Sequence, residues 1–271
     1  MKNRLALQSI LVPLSLSVAS PAEAATQAPL PPHWTSDHDD EARQGYVPPG
    51  PFSGIYGHGF EGGIHLAQDG DDSVEAYQGL CRGDEAARRA LVARLPNYAS
   101  EFWFYATPNQ GVLFKRTASI DRDKPCAEAL VYGYAIERAL ITEGLIHSFE
   151  VDRDGGFGYP RTRPTGQTDR EYSGAFSFIH NLMARRFEPY RGKPTRRRIA
   201  GQDADCYVQG GLVWSNVCVS LSPNATRGML VSTSAGDDIR EMFHMHFDLL
   251  RTRVPLDGRL FELDRDWDSP D

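Results

Sequence analysis

The chain has 271 residues, of which 41% are hydrophobic and 24% charged, and its formal net charge is −7. This composition excludes a disordered chain, a collagen-like repeat and a small scaffold held together by many cysteines. The acidic balance argues against a nucleic-acid or anionic-membrane binder, because such proteins need a basic surface. The sequence therefore describes a globular protein that is long enough to bury its own core.

Residues 1–24 have the layout of a secretory signal peptide. Lys2 and Arg4 precede an apolar stretch of about a dozen residues, and Ala22 and Ala24 form an Ala-x-Ala cleavage site. The apolar stretch is too short to span a bilayer, and no later segment reaches the roughly 18 apolar residues that a membrane helix needs. We therefore predict cleavage near Ala24 and a periplasmic or secreted protein without an integral membrane segment.

All four cysteines lie after the predicted cleavage site, and an exported protein favours disulfides over free thiols. Four cysteines allow three pairings. Cys206 and Cys218 flank two apolar runs that meet at Gly210-Gly211, which is a common hairpin turn. We therefore predict the bridge Cys206–Cys218, with Cys81–Cys126 as the second; free buried thiols are the alternative.

The composition after the signal peptide divides the chain into two parts. Residues 25–62 are rich in proline, glycine and acidic residues, and we predict an extended arm that ends in turns with one short strand. Residues 63–271 contain the regular hydrophobic patterns. We predict that they form a single α+β domain.

Two segments have the spacing of helices. The first starts at Asp84, which is a suitable N-cap, repeats its apolar residues at helical spacing and ends before Pro96. The second lies within residues 175–190 and is closed by Pro189, and its predicted apolar face consists of Phe176, Ile179, Met183 and Phe187.

Strand patterns surround these helices. Residues 101–120 form two apolar runs across a TPNQG turn, which predicts a β-hairpin. The composition of Ala127–Leu140 fits either a helix or a strand, whereas residues 145–151 alternate as a strand.

The last third of the chain contains five apolar or alternating runs with glycine-rich or polar connectors, the last of them being LFEL. The clearest alternation runs from Met242 to Leu249. It places one apolar side opposite a side with His244, His246 and Asp248; the apolar side consists of Phe243, Met245, Phe247 and Leu249. Such alternation predicts an antiparallel sheet with one face on a core, covered by helices.

This order of segments resembles the C-terminal half of the LolA-like periplasmic domains, which include lipoprotein carriers. The resemblance covers about residues 170–267 and rests on IAGQDADCYV, the Gly-Gly turn, NVCVSL, GMLVSTS and VPLDGRLFEL. It implies a curved antiparallel half-barrel with helices packed in its concave face and an apolar cavity between them. It does not imply lipoprotein transport, because one fold can host unrelated functions.

Two histidines form the best candidate metal site. On a strand, His244 and His246 point to the same side with Met242, a soft ligand that suits copper. A further ligand would have to come from elsewhere, for example His58, His65, His147 or His180. The alternative is that these residues are ordinary polar positions on an amphipathic strand.

Arg196, Arg197 and Arg198 form a basic patch that is a candidate contact for a ligand or partner, or else protects a strand edge. We found no phosphate-binding loop, dinucleotide fingerprint, HExxH helix or Gly-x-Ser-x-Gly elbow, and we predict no cofactor and no catalytic residues. The expected function is a non-enzymatic exported protein that binds an apolar ligand or an envelope partner, and no nucleic acid. The alternatives are an enzyme with a histidine and carboxylate site, such as a hydrolase, and a metal-binding protein.

Overall fold

A computed structural model of the chain describes residues 26–31, 52–62, 80–142, 145–152, 161–164, 179, 182–183, 192–209, 214–223, 226–236 and 241–261. The strands of the first half are β1 (Phe52–Glu61), β2 (Ser100–Ala106), β3 (Gln110–Ile120), β4 (Leu130–Thr142), β5 (Leu145–Asp152) and β6 (Arg161–Pro164). Those of the second half are β7 (Thr195–Ile199), β8 (Gln202–Gln209), β9 (Trp214–Ser220), β10 (Leu230–Gly236) and β11 (Glu241–Leu256). A helix, α1 (Glu85–Val92), lies between β1 and β2.

The strands form one antiparallel sheet of the order β6-β5-β4-β3-β2-β1-β11-β10-β9-β8-β7. Each half is a meander, and the two halves join where β1 pairs with β11. The sheet is curved and does not close. Because of this curvature, the side-chain amide of Gln202 at the start of β8 donates to the Leu250 carbonyl on β11 at 3.5 Å, although β9 and β10 lie between the two strands in the sheet. The predicted curved antiparallel sheet is confirmed.

The larger core lies on one face of this sheet. Phe102 and Phe104 of β2 pack in one cluster with Cys206 of β8 and Phe247 of β11. Because strands from both halves contribute to this cluster, this face is inside the curve, and we call it the inner face.

The segment that we predicted as a second helix contributes to the same inner-face core. Ile179, Leu182 and Met183 are buried there, and the Ile179 N–H donates to the Glu137 carboxylate at 2.9 Å. Phe176 and Phe187 lie outside the described residues.

A second apolar cluster covers one end of the opposite, outer face. Tyr56, Tyr105 and Leu260 pack there with Ala28, which lies just after the predicted cleavage site. The Ala28 N–H donates to the Pro255 carbonyl at 3.0 Å, and the Tyr105 hydroxyl donates to the Pro29 carbonyl at 2.7 Å. The other end of this face carries polar and aromatic side chains.

The predicted boundary between arm and domain at residue 62 needs correction, because β1 is a ten-residue strand in the middle of the sheet. Its glycines suggested turns, but the Phe247 ring occupies the space where a side chain of Gly57 would lie, and the Phe102 ring and the backbone of β11 occupy that of Gly59. The sheet therefore includes residues 52–61. Apart from residues 26–31, the earlier part of the predicted arm is outside the described residues.

Helix α1 confirms the first predicted helix. Asp84 caps it by accepting a hydrogen bond from the Ala87 N–H at 2.8 Å, and Leu91 is fully buried against Cys81 and Ala129. It packs at the ends of β3 and β4 rather than in the inner-face core, so it is not one of the helices predicted for the concave face. No helix in the described part of the chain is long and apolar enough to cross a membrane.

The structure decides two predictions about local secondary structure. Of the alternatives for Ala127–Leu140, the structure has a strand from Leu130 onwards, and all eleven residues of β3 pair with β4. The first two residues of LFEL, Leu260 and Phe261, are not in a strand, since Gly258–Phe261 forms a short 3-10 helix that buries Leu260. The other two lie outside the described residues. The predicted hairpin β2–β3 and the strand at residues 145–151 are confirmed.

Both predicted disulfides are present. Cys206 and Cys218 are direct partners in the antiparallel pairing of β8 and β9, with their Cα atoms 4.0 Å apart. Cys81 and Cys126 connect the chain before α1 with the turn before β4. Disulfides persist in oxidising compartments, so the two bridges are compatible with an extracytoplasmic protein. The predicted turn at Gly210-Gly211 and the signal peptide lie outside the described residues.

Candidate functional site

The pairing register of the central strands places an imidazole, an aromatic ring, a carboxylate and a guanidinium in a row across the outer face. His246 of β11 is paired with Phe60 of β1, Phe60 with Glu101 of β2, and Glu101 with Arg116 of β3. Directly opposite side chains in antiparallel strands lie on the same face and within contact distance. Strand pairing alone therefore brings together residues that are far apart in sequence.

A β-bulge directs Asp248 towards this row. In the pairing of β1 with β11, Gly59 faces Phe247 and His58 faces Leu249, so Asp248 is an extra residue on β11. Bulges redirect side chains in this way and are frequent near functional sites. The Asp248 Oδ1 atom lies 2.7 Å from His58 Nδ1.

The same bulge corrects the predicted alternation of β11. Met245 and Phe247 are buried in the inner-face core as expected, but Leu249 packs against the outer cluster and Leu250 takes the inner position. The strict period of two fails at one residue, and the faces of β11 exchange there.

His58 has a carboxylate at each ring nitrogen. Its Nδ1 contacts Asp248, and its Nε2 lies 2.8 Å from Glu101 Oε1. An imidazole donates from both nitrogens only when both carry a proton. A general base needs a free nitrogen lone pair within reach of a substrate. Both nitrogens of His58 are engaged, which favours a structural, charge-pairing role over a catalytic one.

Arg116 continues the chain of alternating charges. It donates to Glu101 Oε2, and its guanidinium carbon lies 5.8 Å from the ring centre of Trp103 and 5.0 Å from that of Tyr132. These distances are within the range of cation–π attraction. We call Asp248, His58, Glu101 and Arg116 the charge chain.

We expect the charge chain to stabilise the fold. The change His58→Gln removes the imidazole between Asp248 and Glu101, so that both carboxylates lose their contact with it while Glu101 keeps Arg116, and the free energy of unfolding should fall by about 1 kcal/mol. Urea unfolding measures this loss. The control is Arg88→Gln, which breaks the more exposed ion pair with Glu85 on α1 and should leave the urea midpoint almost unchanged, because solvent screens that pair. Equal losses in both variants would contradict a special role for the charge chain.

An aromatic pocket of about 230 Å³ opens beside the charge chain. The rings of Phe60 and Tyr98 stack with their centres 4.8 Å apart and their planes at 24°, and Tyr132 also lines the pocket. Glu101 and Arg116 provide its charged groups. The pocket thus combines aromatic walls with an ion pair whose charges cancel.

His244 and His246 lie next to the stacked rings, on the same face as each other, as predicted. Their Nε2 and Nδ1 atoms are 2.9 Å apart, and Tyr98 contacts both imidazoles. Burial and the adjacent His244 lower the pKa of His246, and Asp248 partly opposes that effect. Among the described residues, no group of three or more histidines, cysteines and carboxylates has the geometry to hold a metal ion.

The remaining predicted candidates are not part of this site. Arg196, Arg197 and Arg198 are exposed on the edge strand β7, and Arg196 pairs with Asp205 at 3.3 Å. The side chains of Met242 and His147 lie outside the described residues, as do His65 and His180.

Several residues of the pocket were missed from the sequence. Glu101 and Trp103 alternate in EFWF, which would place both on one face of a strand, and this was the signal available for Glu101. Tyr98, Arg116 and Tyr132 carried no comparable signal, since only the three-dimensional pairing brings them together.

No protein-family model matches the chain, and no curated protein matches its sequence significantly.

Proposed function

We propose that this is an exported binding protein, not an enzyme, and that its aromatic pocket is the ligand site. The observation that carries the proposal is the pocket itself, where Phe60, Tyr98 and Tyr132 line a concave surface beside the Glu101–Arg116 ion pair. Apolar walls with a few placed polar groups are typical of small-molecule sites. The engaged nitrogens of His58 support binding over the enzymatic alternative.

The proposed export rests on the predicted signal peptide and is supported by two disulfides. The proposed LolA-like architecture is supported by the open, curved sheet and by Ile179, Leu182 and Met183, which pack on its inner face as an enclosed helix would. This architecture would give an apolar ligand or envelope partner a second place to bind, on the inner side of the sheet.

The proposal predicts that small fragments bind in the pocket. We expect ligand-observed NMR with a library of fragments of up to about a dozen nonhydrogen atoms, which suits a small pocket, to find binders. The double variant Tyr98→Ala, Tyr132→Ala should weaken them at least tenfold. The control Val208→Ala removes an exposed side chain of β8 far along the sheet and should change nothing.

Two results would contradict the pocket as the ligand site. One is the absence of any binder, and the other is binding that the double variant leaves unchanged. A lipid that remains on the purified wild-type protein in native mass spectrometry, and is unaffected by the double variant, would favour the apolar carrier with its site on the inner face.

Copper binding by His244 and His246 is a second candidate function, and the distance between their nitrogens favours it. Two imidazole nitrogens at about 2.0 Å from one ion, at right angles, are about 2.8–2.9 Å apart, and the observed separation is 2.9 Å. The ion would replace the proton that the two rings share, and it would need further ligands.

We expect Cu²⁺ to bind to the wild-type protein with a nitrogen signature in electron paramagnetic resonance. The double variant His244→Ala, His246→Ala should weaken the affinity at least tenfold, because both proposed ligands are lost. The control is His147→Ala on β5, which β1 to β4 separate from β11. Unchanged affinity in the double variant would remove this function.

A further inference from the structure

We infer that the aromatic pocket binds one uncharged saccharide ring of hexose size. This inference rests on the proposed function and names the class of ligand for the same site. It follows from three properties of the pocket: its volume, the arrangement of its rings and the neutrality of its charged groups.

The volume limits the ligand to one ring. About 230 Å³ is below the ~300–1,000 Å³ of pockets that take drug-sized ligands. A lipid chain or a second ring would extend outside it. A single pyranose with its hydroxyl groups is of suitable size.

The aromatic side chains provide surfaces for the apolar side of such a ring. Phe60 and Tyr98 stack on each other, so one face of each ring is already covered. Tyr132, which is 41% exposed, lies beside Arg116 in the same pocket and offers the most accessible ring. A pyranose has C–H groups on its faces and hydroxyl groups around its rim. Tyrosine suits this ligand because it combines an apolar ring with a polar tip.

The charged groups favour a neutral ligand with many hydroxyl groups. Glu101 accepts and Arg116 donates, and they lie side by side because they are direct partners on β2 and β3. Neighbouring hydroxyl groups of a sugar can donate to the carboxylate and accept from the guanidinium at the same time. A charged ligand would be attracted by one member of the pair and repelled by the other, so the pair gives it no net electrostatic advantage over a neutral one.

A purely aromatic ligand is the main competitor, and the ion pair argues against it. Such a ligand would cover Glu101 and Arg116 without replacing the hydrogen bonds to water that they lose, which is unfavourable. An anionic ring is disfavoured as well, since the chain carries a net charge of −7. The neutral saccharide satisfies both the rings and the ion pair.

Saturation-transfer NMR with the full chain tests the inference. The probes are methyl glycosides of neutral hexoses and of N-acetylhexosamines, with glucuronic acid, glucosamine and benzyl alcohol for comparison. We expect at least one neutral glycoside to bind more tightly than all three comparison probes. Tyr132→Ala should weaken that binding at least tenfold, whereas Tyr132→Phe, which keeps the ring, should change it less than threefold.

The outcomes separate this inference from the proposed function. If benzyl alcohol or other fragments bind in the pocket and no neutral glycoside does, the saccharide inference fails and the pocket remains a ligand site. If neither class binds and the variants remain folded by circular dichroism, both fail. Glycoside binding that Tyr132→Ala leaves unchanged also overturns the inference, because the sugar would then lie elsewhere.

Discussion

Replacing Gly59 with alanine should strongly lower the free energy of unfolding. A Cβ atom at this position would lie 2.2 Å from the His246 carbonyl oxygen and 2.6 Å from the Phe102 ring. The first neighbour is backbone of β11, which is hydrogen-bonded to β1 and cannot move without breaking the pairing at the centre of the sheet. Overpacking of this kind costs about 3 kcal/mol or more when the backbone itself must shift.

Gly133 offers a matched control in the same sheet. A Cβ atom there meets nothing within 4 Å, so Gly133→Ala should change the free energy of unfolding by less than about 0.5 kcal/mol. Urea unfolding followed by tryptophan fluorescence measures both variants. Similar stability in the two variants would show that the close packing of β1 against β11 is not needed.

The glycines of β1 also explain why the site was difficult to find from sequence. In Gly57-His58-Gly59-Phe60, the glycines face inward and let Phe247 pack directly under the strand, while His58 and Phe60 face outward into the site. Glycine favours turns when only local conformation is considered. Here it serves close approach of a side chain to the backbone, which depends on residues almost 190 positions away.

Where an element depends on residues that are close in the chain, the sequence predicts the structure well. Asp84 caps α1, which ends at Val92 ahead of Pro96, and the apolar runs around TPNQG form the hairpin β2–β3. The disulfide Cys206–Cys218 follows from a hairpin whose strands place the two residues opposite each other. In each of these cases the partners are close in the chain, so the pattern contains most of the information.

Where the conformation of a segment depends on partners far away in the chain, the local sequence is not enough to predict it. The composition of β4 also fits a helix, but its long pairing with β3 on one side and its pairing with β5 on the other fix it as a strand. The contact between His58 and Asp248 spans 190 residues and depends on one bulge. Neither the bulge nor the contact has a signature in the local sequence.

Removing the disulfide Cys81–Cys126 should give the second large loss of stability. The bridge closes a loop with a sequence separation of 45, and the loss of chain entropy in the unfolded state predicts about 4 kcal/mol for a loop of this length. The variant Cys81→Ala, Cys126→Ala should therefore melt roughly 8–16 °C lower. Hydrogen exchange should show α1 losing protection first, because Cys81 packs directly against Leu91.

The second bridge provides the comparison. Cys206–Cys218 closes a separation of only 12, for which the same reasoning gives about 3 kcal/mol. A reducing agent should lower the stability of the wild-type protein but leave a variant without both bridges unchanged. If the wild-type protein is equally stable in oxidising and reducing buffer, the bridges are not needed for the fold.

The stability that the two disulfides contribute also provides a test of the proposed location outside the cytoplasm. The free energy of unfolding of a domain is typically about 5–15 kcal/mol, so a chain that lacks both bridges would lose about half of that stability or more. We therefore expect residues 25–271, produced in a reducing cytoplasm, to accumulate largely unfolded, and the same chain to fold after export or oxidative refolding. Full folding in the reducing cytoplasm would remove the main structural support for an extracytoplasmic protein. It would leave the proposed pocket unaffected, because none of the four cysteines lines it.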